Sequence, residues 1–238
     1  MGNWAMHEFG KDKLPKRCYL FAGTTPEYVK NSILEHYNEV ILHKHDVYER
    51  YIVKDKENED LLIFQAYGAA VVADILSILK DGEVEEVIFI GTAFGLSNKL
   101  KTGDVVIPSK VQCLDGITNL IDSATYVVPN DEFRKKILDL LDEHKVDFKE
   151  GLTVSVPTVF WRLDNNKFDS NIIALEMELS AFLHFSYKLE LRSAGILVIS
   201  DTINHSLLDD QTLRFANIIN TFSIIKSKWQ SRGINKKV

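Results

Sequence analysis

Asp201 directly follows the apolar run "SAGILVIS", which predicts a carboxylate at the end of a buried strand. Glu176 and Glu178 sit in "ALEMELSAFLHFSY", predicted as one helix over residues 174–187. Two residues apart, they point to different faces of a helix, so at most one of them faces the core. A buried carboxylate is costly unless it is hydrogen-bonded, and ligand hydroxyls would meet that need. The third feature is "IFIGTAFG", read as a strand over residues 88–90 that breaks into a turn at residues 91–95. Such a turn can hold a phosphate on backbone N–H groups. Yet no lysine or arginine lies between Ile88 and Ser97. Taken singly, the three features also suit a helix cap, a solvated acid and a plain turn.

The elements that must position these groups are legible as an alternation. Short apolar runs such as "RCYLFAG", "LLIFQAY", "EEVIFIG" and "SAGILVISD" read as strands. Between them, "PEYVKNSILEHY", "AAVVADILSIL", "DEFRKKILDLLDEHK" and "QTLRFANIINTFSIIKSKW" carry apolar residues at helical spacing. "GLTVSVPTVFW", residues 151–161, reads as a further strand. Continuously apolar strands alternating with helices predict an α/β fold, a mixed or parallel central sheet with helices on both faces. In such sheets ligands sit at the carboxyl ends of strands, where Asp201 and residues 91–95 fall. Without a repeat, low-complexity tract or Pro/Gly linker, residues 1–238 read as a single domain.

Composition narrows the function. The 238 residues are 45% hydrophobic and 26% charged, with a formal net charge of −6 and no basic cluster beyond the terminal "NKKV". That balance argues against nucleic acid as the main partner, because phosphate contacts need a positive face. Cys18 and Cys113 are too few for a disulfide framework or a cysteine zinc site. Among the histidines, His43 and His45 alternate as in a strand, but no third metal ligand is evident. No apolar run has signal or membrane length, so the expectation is a cytoplasmic protein with no membrane partner, no metal and no cofactor.

Together the motifs resemble one family. "IFIGTAFGLSNKLKTGDVVIP", "ALEMELSAF" and the ordered "ILVISD" are similar to the signatures of the nucleoside phosphorylase family. That family spans purine nucleoside phosphorylases, uridine phosphorylases and the methylthioadenosine/adenosylhomocysteine nucleosidases. The resemblance implies cleavage of the N-glycosidic bond of a nucleoside through an oxocarbenium-like transition state. It places Glu178 on the ribose hydroxyls, Met177 against the sugar, and Asp201 as the acid that protonates or hydrogen-bonds a departing purine. It places Phe160 or Trp161 on the base. It gives His7 the 5′ end of a neighbouring subunit's ribose, which requires a homo-oligomer, a dimer or a hexamer.

The phosphate site of the phosphorylases is what the chain departs from. Phe89 stands where a phosphate arginine is expected, and Glu27 falls near a second one. Lys44 is the nearest cation to the third, while Gly23 and the Thr92 hydroxyl remain. Replacing bidentate arginines by an aromatic ring and an acid weakens dianion binding by several kcal/mol, on the order of 1.5–3 per charged hydrogen bond. The expectation is therefore a nucleosidase, in which Glu27 activates water and Gly23 and Thr92 hold ribose and that water. One alternative is a phosphorylase with a rebuilt anion site at Thr92 and Lys44, His43 or His45. The other is a non-catalytic nucleoside-binding protein.

Overall fold

Alternation along the strands decides which side of the sheet each residue faces. In one strand Val87 and Phe89 enter one apolar cluster while Ile88 and Ile90 enter another; in a second, Cys18 and Leu20 part from Tyr19 and Phe21 in the same way. The computed structural model describes residues 3–43, 47–56, 58–158, 160, 169, 171–206 and 210–231. In chain order the first half runs α1 (Trp4–Phe9), β1 (Arg17–Ala22), α2 (Glu27–Leu34), β2 (Glu39–His43), β3 (Glu49–Asp55), β4 (Asn58–Ala66), α3 (Ala69–Asp81) and β5 (Glu86–Gly95). The second half runs β6 (Val105–Cys113), α4 (Ile117–Asp122), β7 (Tyr126–Val127), α5 (Asp131–Glu143), β8 (Phe148–Ser155), β9 (Ile172–Glu176), α6 (Leu179–Lys188), β10 (Arg192–Thr202) and α7 (Thr212–Ser231).

The result is a single α/β domain on a mixed sheet. Strands β4, β1, β5 and β10 lie parallel in that order. The pairings β10–β6, β6–β8, β8–β9 and β9–β5 then bring the sheet back onto β5, so that half of it closes into a ring. On one face α3 and α6 pack through Ile75, Leu76, Leu179 and Phe182. On the other, α2, α5 and α7 pack through Ile33, Ile137, Leu140 and Phe222. No helix among the described residues is long and apolar enough to cross a membrane.

Two local expectations are corrected. The segment expected to turn at residues 91–95 stays in β5, paired with β10 from Leu197↔Gly91 to Thr202↔Gly95. Its glycines serve close packing, not a turn: a Cβ on Gly91 would lie 2.5 Å from Phe89 Cε1. The expected helix over residues 174–187 is β9, a short bend and then α6, so neither Glu176 nor Glu178 lies inside a helix. Helix propensity misread the acid: the Glu176 carboxylate accepts the Glu178 and Leu179 N–H groups, both at 2.6 Å, and tethers the helix start from outside.

Candidate active site

Because β9 ends at Glu176 and α6 begins at Leu179, the Met177–Glu178 link crosses the carboxyl end of β5. Both acids are buried there, Glu176 4% and Glu178 7% exposed. Glu176 also accepts the Ser155 hydroxyl; Ser155 Oγ accepts the Ser180 N–H at 2.7 Å, and the Ser180 hydroxyl donates to Asp115 at 2.9 Å. These donors suit an ionised Glu176, but burial raises its pKa and the neighbouring Glu178 charge raises it further. Burial raises Glu178 as well, opposed by the Gly68 N–H that donates to its Oε1 at 2.8 Å. Gly68 is at φ 83°, a conformation in which glycine is unstrained, so the β4–α3 turn can aim that N–H.

Asp201 reaches the same place from β10. The β10–β5 register shifts between Ile199 and Asp201, a bulge that brings both Ser200 and Asp201 to the site. The Ser200 hydroxyl lies 2.6 Å from Asp201 Oδ1 and 3.2 Å from the Ala93 carbonyl. At the end of β1, Gly23 adopts φ 81°, and a Cβ there would sit 3.5 Å from Thr92 Oγ1. Thr24 and Tyr67 join hydroxyls beside it. These groups enclose a cavity of about 460 Å³ whose apolar walls include Phe94, Leu175, Met177 and Phe215. Its charged side chains among the described residues are Glu176, Glu178, Asp201 and Arg214.

A family model described as the phosphorylase superfamily matches residues 22–226. The chain belongs to the phosphorylase superfamily. No protein of curated function matches it. Solved structures share its fold at low identity. A 5′-methylthioadenosine/S-adenosylhomocysteine nucleosidase of Campylobacter jejuni superposes with a TM-score of 0.77 at 14% identity, over 92% of this chain and 100% of its own. The corresponding Neisseria meningitidis enzyme, solved with methylthio-immucillin-A, gives 0.73 at 20% identity, over 89% and 99%. A futalosine hydrolase mutant of Helicobacter pylori strain 26695 gives 0.72 at 14% identity, over 91% and 99%.

In this phosphorylase-superfamily chain, the cavity unites Gly23, Thr92, Met177, Glu178 and Asp201. Phe89 turns away from it into the core, 1% exposed with its ring 5.1 Å from that of Phe182. Glu27 opens α2 next to Pro26 on the cavity wall, but its own carboxylate is 71% exposed and pairs with Lys30 at 2.7 Å. The expected base is thus drawn off the cavity by a buried ammonium that also needs Glu49, likewise at 2.7 Å. His7 lies exposed on α1, bonded to Glu8 and edge-on to the Trp4 ring, away from the cavity. Phe160 is 75% exposed and does not line the cavity. His43 packs its ring 5.5 Å from that of Phe9. Lys44, His45 and Trp161 lie outside the described residues.

Sequence reading missed Arg214, Phe215, Tyr67 and Phe94, all of which line the cavity. A signal for the first existed. Arg214 precedes Ile218 and Ile225 by four and eleven positions on the core-facing side of α7, where a cation is out of place. Arg214 is only 7% exposed, and burial holds its pKa below the usual arginine range while Asp201 pushes it back up.

Proposed function

We propose that this protein cleaves the N-glycosidic bond of a nucleoside, with a purine as leaving base and water as the favoured nucleophile. The observation that supports it most is one cavity holding Glu178, Met177 and Asp201, with Thr92 and Gly23 beside them. A volume of about 460 Å³ suits a nucleoside-sized ligand. Above its pKa, raised to about 7 by burial, Glu178 is ionised, accepts ribose hydroxyls and stabilises charge building on the sugar. Asp201 donates to the base nitrogen as the bond breaks, so the base leaves neutral. Phe89 in the core supports water over phosphate, because that strand position offers no cation. Glu27 activates water after rotating from Lys30. Lys30 is buried, and Glu49 stays as its partner at 2.7 Å when Glu27 turns away. His7, exposed on α1, serves the ribose of a neighbouring copy in a homo-oligomer.

Chromatography of purine and pyrimidine nucleosides incubated with the protein, with and without phosphate, tests this reading. Phosphate-independent release of base and free ribose is expected. Ribose 1-phosphate formed only with phosphate would replace hydrolysis by phosphorolysis. No release from any nucleoside would leave a binding protein.

A further inference from the structure

Glu178 stands at the N-cap of α6, where a side-chain oxygen commonly accepts one of the helix's free N–H groups. It makes no such bond. Its Oε1 accepts the Gly68 N–H instead, at 2.8 Å, from the β4–α3 turn. The N–H groups that open α6 are met from outside the helix. Glu176 accepts those of Glu178 and Leu179, both at 2.6 Å, and Ser155 Oγ accepts that of Ser180 at 2.7 Å. The Ser155 hydroxyl in turn donates to Glu176. Ser155 thus takes one N–H itself and steadies the acid that takes the other two. The β8–β9 register sets it opposite Glu176, and it is fully buried. It does not line the cavity. From Ser180 the chain of bonds continues: its hydroxyl donates to Asp115 at 2.9 Å, and Asp115 accepts the Ile117 and Thr118 N–H groups at 3.1 and 2.9 Å. Without the Ser155 hydroxyl, the Ser180 N–H would be a buried donor with no acceptor, which is costly. The Glu178 carboxylate, at the N-cap and drawn to the positive end of the helix, is the acceptor placed to relieve it. Taking that bond would pull it off Gly68 and away from the cavity.

We propose that Ser155 is a positioning residue for Glu178: by taking the Ser180 N–H and fixing Glu176 on the two N–H groups before it, Ser155 relieves Glu178 of capping α6 and leaves its carboxylate facing the cavity. The inference rests on the nucleoside reading only for what Glu178 binds there.

The variants Ser155→Thr and Ser155→Val test it in the full chain, because the two side chains share a shape and differ in the hydroxyl. The Gly68 amide reports where the Glu178 carboxylate is, with no ligand needed. By 15N NMR its proton should exchange about 10-fold faster or more in Ser155→Val than in Ser155→Thr, while the amides of β1 exchange alike in both. A loss of stability by itself would speed exchange in β1 as well. On a nucleoside that wild type cleaves, kcat/KM should fall about 10- to 100-fold further in Ser155→Val than in Ser155→Thr. Equal Gly68 exchange in the two variants overturns the positioning role and leaves the nucleoside reading standing. Faster Gly68 exchange in Ser155→Val, with no nucleoside cleaved even by wild type, keeps the positioning role and removes the nucleoside reading. Faster exchange with equal kcat/KM overturns the positioning role, since Glu178 would then act without being held. Should either variant fail to fold, Ser155→Cys replaces the pair, being close to serine in size and a weaker hydrogen-bonding group. Its Gly68 amide should exchange faster than in wild type, and an unchanged rate overturns the proposal.

Discussion

Asp201 and Glu178 share one cavity, yet their geometry predicts different kinetic signatures. In the proposed reaction Asp201 acts when the base departs, so Asp201→Asn should lower kcat for purine nucleosides by about 100-fold or more with little change in KM. An unchanged rate of base release would remove the leaving-group role. In the same reading Glu178 binds the sugar and stabilises the charge that builds on it, so Glu178→Gln should raise KM and lower kcat, together about 10- to 100-fold in kcat/KM, read from initial rates across substrate concentration. Glu176 behaves differently, because it is tied into the fold. Both glutamates keep protons that the unfolded chain releases above pH ~4.3. The folded state thus binds more protons there, and stability must fall as pH rises from that range toward their raised pKa values. The slope is at most about 1.4 kcal/mol per pH unit for each proton. Urea melts from pH 5 to 8 should show this decline, and Glu176→Gln should flatten it.

At the scale of elements, the site depends on interruptions in regular structure. The β10 bulge turns Asp201 toward the cavity, and the short link from β9 to α6 does the same for Glu178. By contrast, β5 must stay regular through its glycines. Gly91→Ala places a methyl 2.5 Å from the Phe89 ring, itself held against Phe182. Overpacking of this kind should destabilise the protein by about 1–3 kcal/mol in chemical denaturation. A variant as stable as wild type would show that the Phe89 ring can yield.

The whole molecule joins the site to both cores. Helix α7 carries Arg214 and Phe215 at one end and is anchored along its length on the sheet. The fully buried Phe222 meets Tyr19 edge-on at 5.0 Å, and Trp229 Nε1 donates to Glu86 at 2.7 Å. Phe222→Ala should cost about 3–5 kcal/mol. It should also weaken ligand binding in the surviving folded protein, because the cavity wall on α7 loses its mooring. Melting temperature and calorimetric affinity measured on the same sample check both effects.

Periodicity alone determined much of this protein. Alternating apolar strands and amphipathic helices implied the α/β layers, since each face must bury its apolar side. The residues pointed to Asp201 and to the Glu176–Glu178 pair, and the resemblance of "EME" and "SD" to the family's motifs singled out Glu178, Met177 and Asp201. Tertiary structure decided what local pattern could not. The glycines at 91 and 95 resemble turn residues until the Phe89 and Thr202 side chains that crowd them are seen. Glu176 has the company of a helical residue but works as an external tether, because the N–H groups of the next turn need its oxygens. Glu27 and Arg214 exchange prominence for the same reason. Which charge reaches a cavity depends on the partners that burial brings beside it: Lys30 draws Glu27 away, and the packing of α7 carries Arg214 in.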